Sequence, residues 1–246
     1  MKLPLFIISD THFQIDLSPN ENKKRKLLSI LLEKIEKTGG TLIIGGDFFD
    51  FWFDFKIKPP ENYLEILQKL YKLSSKGIEI HYIAGNHDYW NFSTLEKFGI
   101  QFYKGNLDFK IDNKKIHLTH GDGILDSDKY YRFLSSLIRH PIFIKLFSLL
   151  GQKNGYNIGK LVSWFSKSLH DNSLSKKIII KKKLINHIFT KLYKKYDTIL
   201  IGHYHFNEII KVKDKTTIFL GNWVDNYTLT TFDGNKWAQN DLIDKL

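Results

Sequence analysis

Apolar residues in this chain follow two periods. Some form short, nearly unbroken runs that stop abruptly at a polar residue, as in Phe6-Ile7-Ile8 before Ser9-Asp10 and Leu42-Ile43-Ile44 before Gly45-Gly46-Asp47. Runs of that length bounded by turn residues predict buried strands over 2–9, 41–45 and 78–84. Between the first two, Leu27, Leu28, Leu31, Leu32 and Ile35 recur at helical spacing and predict a helix over 20–38, ended by Gly39-Gly40. A second amphipathic helix is predicted over 61–76, after Pro59-Pro60, so the chain opens as alternating strand and helix. Ser93-Thr94-Leu95-Glu96 reads as a capping box that starts a helix. Residues 105–112, 115–119, 216–221 and 227–232 read as antiparallel strands, with hairpin turns at Asp112-Asn113 and Asp233-Gly234-Asn235. Residues 122–192 have little strand character. Helices are expected there from Tyr130 onward, over 142–150, over 159–169 and over 177–193. The first three read as a helical insertion, about 124–176, within one domain spanning 1–246.

The chemistry sits where the apolar runs end. Asp10-Thr11-His12, Asp47, Asn86-His87-Asp88, His120-Gly121-Asp122 and His203-Tyr204-His205 each follow a short buried-looking strand. Turn chemistry alone explains any one of these clusters, because Asp, Asn and Gly favour turns for backbone reasons. Five in a row are another matter. Strands of one sheet bring their carboxyl ends to a common rim, and residues i and i+2 of an extended segment point the same way. Asp10, His12, Asp47, Asn86, His120, His203 and His205 are oxygen and nitrogen ligands of divalent metals. Seven are too many for one ordinary ion and suit two, which would stand about 3.5–4 Å apart in a phosphoryl-transfer site.

Composition narrows the picture. The 246 residues include no cysteine, which excludes disulfides, thiolate metal sites and a cysteine nucleophile. Ser9 and Asp10 interrupt the first apolar run too early for a signal-peptide core. No apolar run approaches the roughly 18 residues of a membrane span. The formal net charge is +11, with lysine runs at Lys23-Lys24-Arg25-Lys26 and Lys181-Lys182-Lys183. These read either as solvated surface or as attraction to a polyanion such as an anionic membrane; no nucleic-acid motif accompanies them. The aromatic run 48–55 follows a ligand directly and reads equally as core or as a wall of the cleft, with Trp52 a candidate substrate contact. Residues 133–150 are apolar with Arg139, His140 and Lys145 between. They suit a helical-hairpin core or dimer contact, or a lid that holds lipid and rests on a membrane; their apolar excess favours the lid.

The order Asp-x-His, Gly-Asp, Gly-Asn-His-Asp, His-Gly-Asp, Gly-His-x-His, spanning Asp10 to His205, resembles the calcineurin-like metallophosphoesterases. The resemblance implies an α/β fold, the metallophosphoesterase four-layer αββα sandwich of two mixed sheets flanked by helices, here with a helical lid insertion. It implies two divalent ions that activate a water for in-line attack on phosphorus. Asp10, His12 and His205 would hold one ion, Asn86, His120 and His203 the other, and Asp47 would bridge. His87 would point away from the metals and protonate the leaving oxygen or stabilise the transition state, with Asp88 orienting it.

A narrower resemblance rests on Gly-Asp-Phe-Phe-Asp-Phe-Trp-Phe, Gly-Asn-His-Asp-Tyr-Trp, His-Gly-Asp-Gly, the helical insertion and Leu220-Gly221-Asn222-Trp223. This combination is similar to the UDP-2,3-diacylglucosamine pyrophosphatases of lipid A biosynthesis. That family hydrolyses its UDP-linked diacylated glucosamine lipid to UMP and 2,3-diacylglucosamine 1-phosphate, usually with manganese. It works in the cytoplasm, peripherally on the inner membrane. The resemblance carries over Ser166, Asn172, Lys176 and Asp126 as substrate contacts. His87 departs from the pattern, since proteobacterial members have arginine there. That departure leaves open a soluble phosphoester or nucleotide pyrophosphate as substrate.

Overall fold

The computed structural model describes residues 1–169 and 174–242, with side chains described outside 163–169. In chain order the elements are β1 (Leu5–Ile8), α1 (Pro19–Thr38), β2 (Thr41–Ile44), α2 (Glu61–Ser75), β3 (Glu79–Ile83), a 3-10 turn (Leu95–Phe98), β4 (Ile100–Tyr103), β5 (Leu107–Ile111) and β6 (Lys114–Thr119). Then come α3 (Lys129–Ile138), α4 (Pro141–Ser148), α5 (Gly151–Leu169), α6 (Leu174–His187), a π-helical stretch (Ile188–Leu192), β7 (Thr198–Ile201), β8 (Asn207–Val212), β9 (Lys215–Leu220), β10 (Thr228–Phe232) and β11 (Trp237–Asp241).

Two mixed sheets result, ordered β11-β10-β1-β2-β3-β4 and β5-β6-β7-β9-β8. Alternation along each strand stacks them in four layers. Phe6, Ile8, Leu42 and Ile44 pack outward against Leu28, Leu31 and Leu67 of α1 and α2. Leu5, Ile7 and Ile43, their sequence neighbours, pack inward against Leu118, Leu200, Ile218 and Leu220 of the second sheet. On the far side Ile199, Ile201 and Phe219 meet Leu184 of α6 and Ile188. This is the αββα sandwich.

The strand reading fails mainly at sheet edges. Strands β4, β8 and β11 were not foreseen, and all three are edge strands. Edges are more polar and break the apolar pattern that marks a strand; β8 reads NEIIKV and β11 reads WAQND. Two of the strands taken as antiparallel, β6 and β9, also make parallel pairs, each with β7. The foreseen capping box at 93–96 is replaced by Asn91, whose Oδ1 accepts from Leu95 N at 3.1 Å while its Nδ2 donates to Glu96.

Two readings of charge and aromatic content are corrected. Lys24 and Arg25 are buried rather than solvated. Lys24 Nζ donates to the carbonyls of Thr11 (2.9 Å) and His12 (2.7 Å), and Arg25 donates to those of Gln14 and Asn62. The basic run thus clamps the loop that carries His12. Trp52 is 1% exposed and stacks on Phe49 at 5.0 Å, so it offers no ring to a substrate. The outward members of the run, Phe51 and Phe55, bed the inserted helices. A Cβ on Gly159 or Gly155 of α5 would stand 2.3 Å from Phe51 or 2.2 Å from Phe55, so the close approach requires glycine at both. Phe147 of α4 joins the same cluster, 4.8 Å from Phe53.

Candidate active site

The parallel strands of both sheets end at one rim. β1, β2 and β3 deliver Asp10, Asp47 and Asn86-His87 from one side; β6 and β7 deliver His120, His203 and His205 from the other. Three triads of ligand atoms converge there, each within 4.8 Å: Asp10-His12-His205, His12-Asp47-His87 and Asp47-His120-His203. Asn86 Oδ1 lies 3.3 Å from His120 Nε2. All seven residues named as ligands from sequence therefore fall into one cluster.

The backbone is shaped for this purpose. Asp10, His12, Asp47, His203 and His205 all have positive φ, between 44° and 65°. Each such residue costs about 1 kcal/mol or more, and strain of this kind persists where the surroundings impose it. Hydrogen bonds impose it here: Asp10 N donates to Gly46 O and His12 N to Asp47 O, tying the first two loops together. Asp10 Oδ2 accepts from Ser9 Oγ at 2.6 Å, and its carboxylate accepts from His203 N at 3.1–3.2 Å.

The donor set calls for a cation. His120 Nδ1 donates to Gly45 O at 2.9 Å, so in the neutral ring Nε2 carries the lone pair. That Nε2 stands 3.2 Å from Asp47 Oδ2 and 3.3 Å from Asn86 Oδ1, both acceptors. With the ring neutral, three acceptors face one another and need a positive charge at their centre, which a metal ion or a proton on Nε2 would supply. Two ligands each about 2.0–2.2 Å from one ion stand about 3–3.5 Å apart. His205 Nε2 lies 3.3 Å from Asp10 Oδ1 in the same manner. Acidities agree. Burial pushes the His120 ring down, but Asp47's charge and hydrogen bond, with Asp10 behind them, lift it well above its ordinary value. Burial raises Asp47, yet the facing His120 and His87 hold it well below the usual carboxylate range. His12 is held at about 3 and His203 at about 4, in both cases by burial first and a neighbouring imidazole second. Both rings are therefore neutral, the state a metal requires.

Roles around the rim differ from the sequence reading in three places. Asp88 does not orient His87. Its carboxylate turns into the core and accepts from Phe48 N at 2.6 Å, Gly85 N at 2.7 Å and the Tyr82 hydroxyl; burial and Asp47's charge push it up to about 6. The residue that orients His87 is Asp50, whose backbone carbonyl lies 2.7 Å from His87 Nδ1. His87 also does not point away from the cluster, since one ring nitrogen belongs to a ligand triad. Asp126 is exposed and held by Lys191 at 2.9 Å. The acid this turn sends inward is Asp122, which accepts from Tyr131 at 2.7 Å and from Arg139 at 3.1 Å. Arg139 stacks over Tyr89 at 4.1 Å, and Trp90 Nε1 donates to Ile138 O, so α3 is latched to two ligand-bearing loops. The His-Gly-Asp motif held this signal; only the destination of the carboxylate was not visible in it. Lys176 is exposed in the first turn of α6. Ser166's side chain, Asn172 and His170 lie outside the described residues.

A family model described as calcineurin-like phosphoesterase matches residues 3–221. The chain belongs to the calcineurin-like phosphoesterases. It is accordingly a metal-dependent phosphoester hydrolase, and the rim is where divalent ions fit. The UDP-2,3-diacylglucosamine hydrolase of Porphyromonas gingivalis is 25% identical over 265 residues, covering 99% of each chain. Proteins of the same name from Haemophilus influenzae (strain PittGG) and Neisseria meningitidis serogroup B are 27% and 23% identical over 227 and 256 residues. These cover 90% and 94% of this chain and 91% and 95% of theirs.

One test of the rim follows from its packing. A Cβ on Gly85 would stand 2.1 Å from Asp47 Oδ1 and 2.5 Å from Asp47 N. Gly85→Ala is expected to displace the Asp47 carboxylate and lower phosphodiester turnover about 10²-fold, the scale of a 1 Å misplacement. Circular dichroism and steady-state kinetics on bis-p-nitrophenyl phosphate check this; unchanged kcat would show that the Asp47 position is not critical.

Proposed function

We propose that this chain hydrolyses the pyrophosphate bond of UDP-2,3-diacylglucosamine, releasing UMP and 2,3-diacylglucosamine 1-phosphate. Asp10, His12 and His205 would hold one divalent ion and Asn86, His120 and His203 the other, with Asp47 within reach of both groups. When bound, the ions lower the pKa of a water toward neutrality and draw charge from the phosphoryl oxygens. The chain's residues do the rest. Gly45 O fixes the His120 tautomer, and Asp50 O orients His87, which as an imidazolium would protonate the departing sugar-phosphate oxygen through its other ring nitrogen. Asp122, Tyr131 and Arg139 keep α3 fixed beside the rim.

The observation that carries the substrate assignment is the surface beside the rim. α4 has no buried residue although it reads PIFIKLFS. Phe133, Leu134 and Leu137 of α3, with Ile142, Leu146 and Leu149, are exposed, as are Ile158, Leu161 and Val162 of α5. An apolar face of this extent marks an interaction site for lipid, membrane or protein. Acyl chains of a glycolipid, emerging from a membrane, suit it, and the near-full-length relatives support that choice. The face also supports peripheral attachment to an anionic membrane, given the +11 charge; no described helix is long and apolar enough to cross one. Manganese is the ion we expect.

Comparing UDP-2,3-diacylglucosamine with UDP-N-acetylglucosamine at equal concentration in mixed micelles tests the assignment. A preference of about 10²-fold or more for the diacylated compound is expected, from roughly 3 kcal/mol of acyl contact. Equal rates would move the enzyme to soluble pyrophosphates.

A further inference from the structure

We propose that the cavity between β6 and the C-terminal end of α6 holds the nucleoside half of the substrate, in chemical class a pyrimidine nucleoside monophosphate. This rests on the reading of the substrate as nucleotide-linked. The cavity measures about 450 Å³, within the roughly 300–1,000 Å³ of small-molecule sites. Thr119 and Asp122 line it; the first adjoins His120 and the second lies two residues beyond it, so an occupant comes close to a ligand. His117 lines it too, two residues further down the same face of β6; Ile116 and Leu118 face the other way into the sandwich.

The facing wall is basic. His187, Lys191 and Lys195 line it at four-residue spacing. Lys191 is shared with exposed Asp126, while Lys195 stands exposed beside Tyr196. Tyr196 is a fixed ring: it stacks on His117 at 4.5 Å, and its hydroxyl donates to Asp108 at 2.6 Å. Ile124 and Leu192 add apolar walls and Asn106 an amide. Ammonium donors suit pyrimidine carbonyl oxygens and phosphate, the amide and the threonine suit ribose hydroxyls, and Tyr196 suits a base. The two halves of the substrate then part by chemistry, with acyl chains toward the apolar α3–α5 face and the nucleoside toward the basic cavity.

The test is calorimetric titration of uridine 5′-monophosphate into the full chain loaded with manganese. Lys191→Glu/Lys195→Glu is expected to bind at least tenfold more weakly than wild type. Lys182→Glu/Lys183→Glu, with the same charge change on exposed α6 positions, should bind as wild type does. Turnover of bis-p-nitrophenyl phosphate should be unchanged in Lys182→Glu/Lys183→Glu, which touches neither the rim nor the cavity. Equal affinity of wild type and cavity variant would overturn the proposal. So would equal weakening in the control, which leaves only long-range charge, or binding of glucosamine 1-phosphate but not of uridine monophosphate. Turnover of the diacylated lipid is scored separately. Cavity-dependent nucleotide binding without lipid turnover removes the lipid and keeps the nucleotide site; lipid turnover without cavity-dependent binding does the reverse.

Discussion

Asp47→Ala should lower phosphodiester turnover by about 10³-fold or more, the consequence of losing roughly 4 kcal/mol of transition-state stabilisation, while the chain stays folded. Asp47 is the residue common to the second and third ligand triads, so its removal weakens both halves of the rim together. Folding should survive because Asp47 shares a buried region with Asp10 and Asp88, and deleting one of three neighbouring carboxylates relieves repulsion. The two effects separate in a melting experiment. Wild type should gain about 2.7 kcal/mol when manganese is supplied at 100 times its Kd, because a ligand that binds only the native state stabilises it. The variant should show little of that gain, and chelation should abolish it in wild type. Retained turnover, or an undiminished metal-induced shift, would show that Asp47 is not a ligand common to both ions.

The second large effect concerns the apolar face. Ile142, Leu146 and Leu149 are 65%, 61% and 76% exposed, so replacing all three with serine should scarcely change stability. Each side chain that loses acyl contact forfeits about 1 kcal/mol, so the triple variant should raise KM for the diacylated substrate about 10²-fold. Its kinetics on bis-p-nitrophenyl phosphate should match wild type. Phe147 is the internal control. Its ring lies among Phe51, Phe53 and Phe55, so Phe147→Ser should unseat α4 and impair folding rather than KM alone. Equal losses on both substrates from the triple variant would make the exposed face a packing surface for another protein.

Much of the ligand cluster was legible because its parts obey local rules. A buried strand ending in Asp, Asn or His announces itself in the apolar pattern, and parallel strands gather their ends without further instruction. What stayed hidden depends on where a side chain turns after the chain has folded. Asp88 and Asp122 occupy similar places in their motifs, yet one turns to Tyr82 in the core and the other to Arg139 just past the end of α3. Neither direction has a period that a sequence displays. Lys24 and Arg25 looked like solvated charge because burial of a cation depends on carbonyls from a distant loop. Edge strands escaped for the opposite reason: β8 and β11 lack the apolar alternation that would mark them. The left-handed φ angles at five ligands are likewise invisible in residue types, since aspartate and histidine usually avoid that region.

We propose that this rim splits UDP-2,3-diacylglucosamine by water attack at the α-phosphorus. Hydrolysis in mixed micelles with manganese in ¹⁸O-enriched water, followed by phosphorus NMR of both products, tests it most directly. Attack at the α-phosphorus puts label on UMP and none on 2,3-diacylglucosamine 1-phosphate. Label on the sugar phosphate would contradict the site of attack, and no turnover alongside healthy cleavage of bis-p-nitrophenyl phosphate would contradict the substrate.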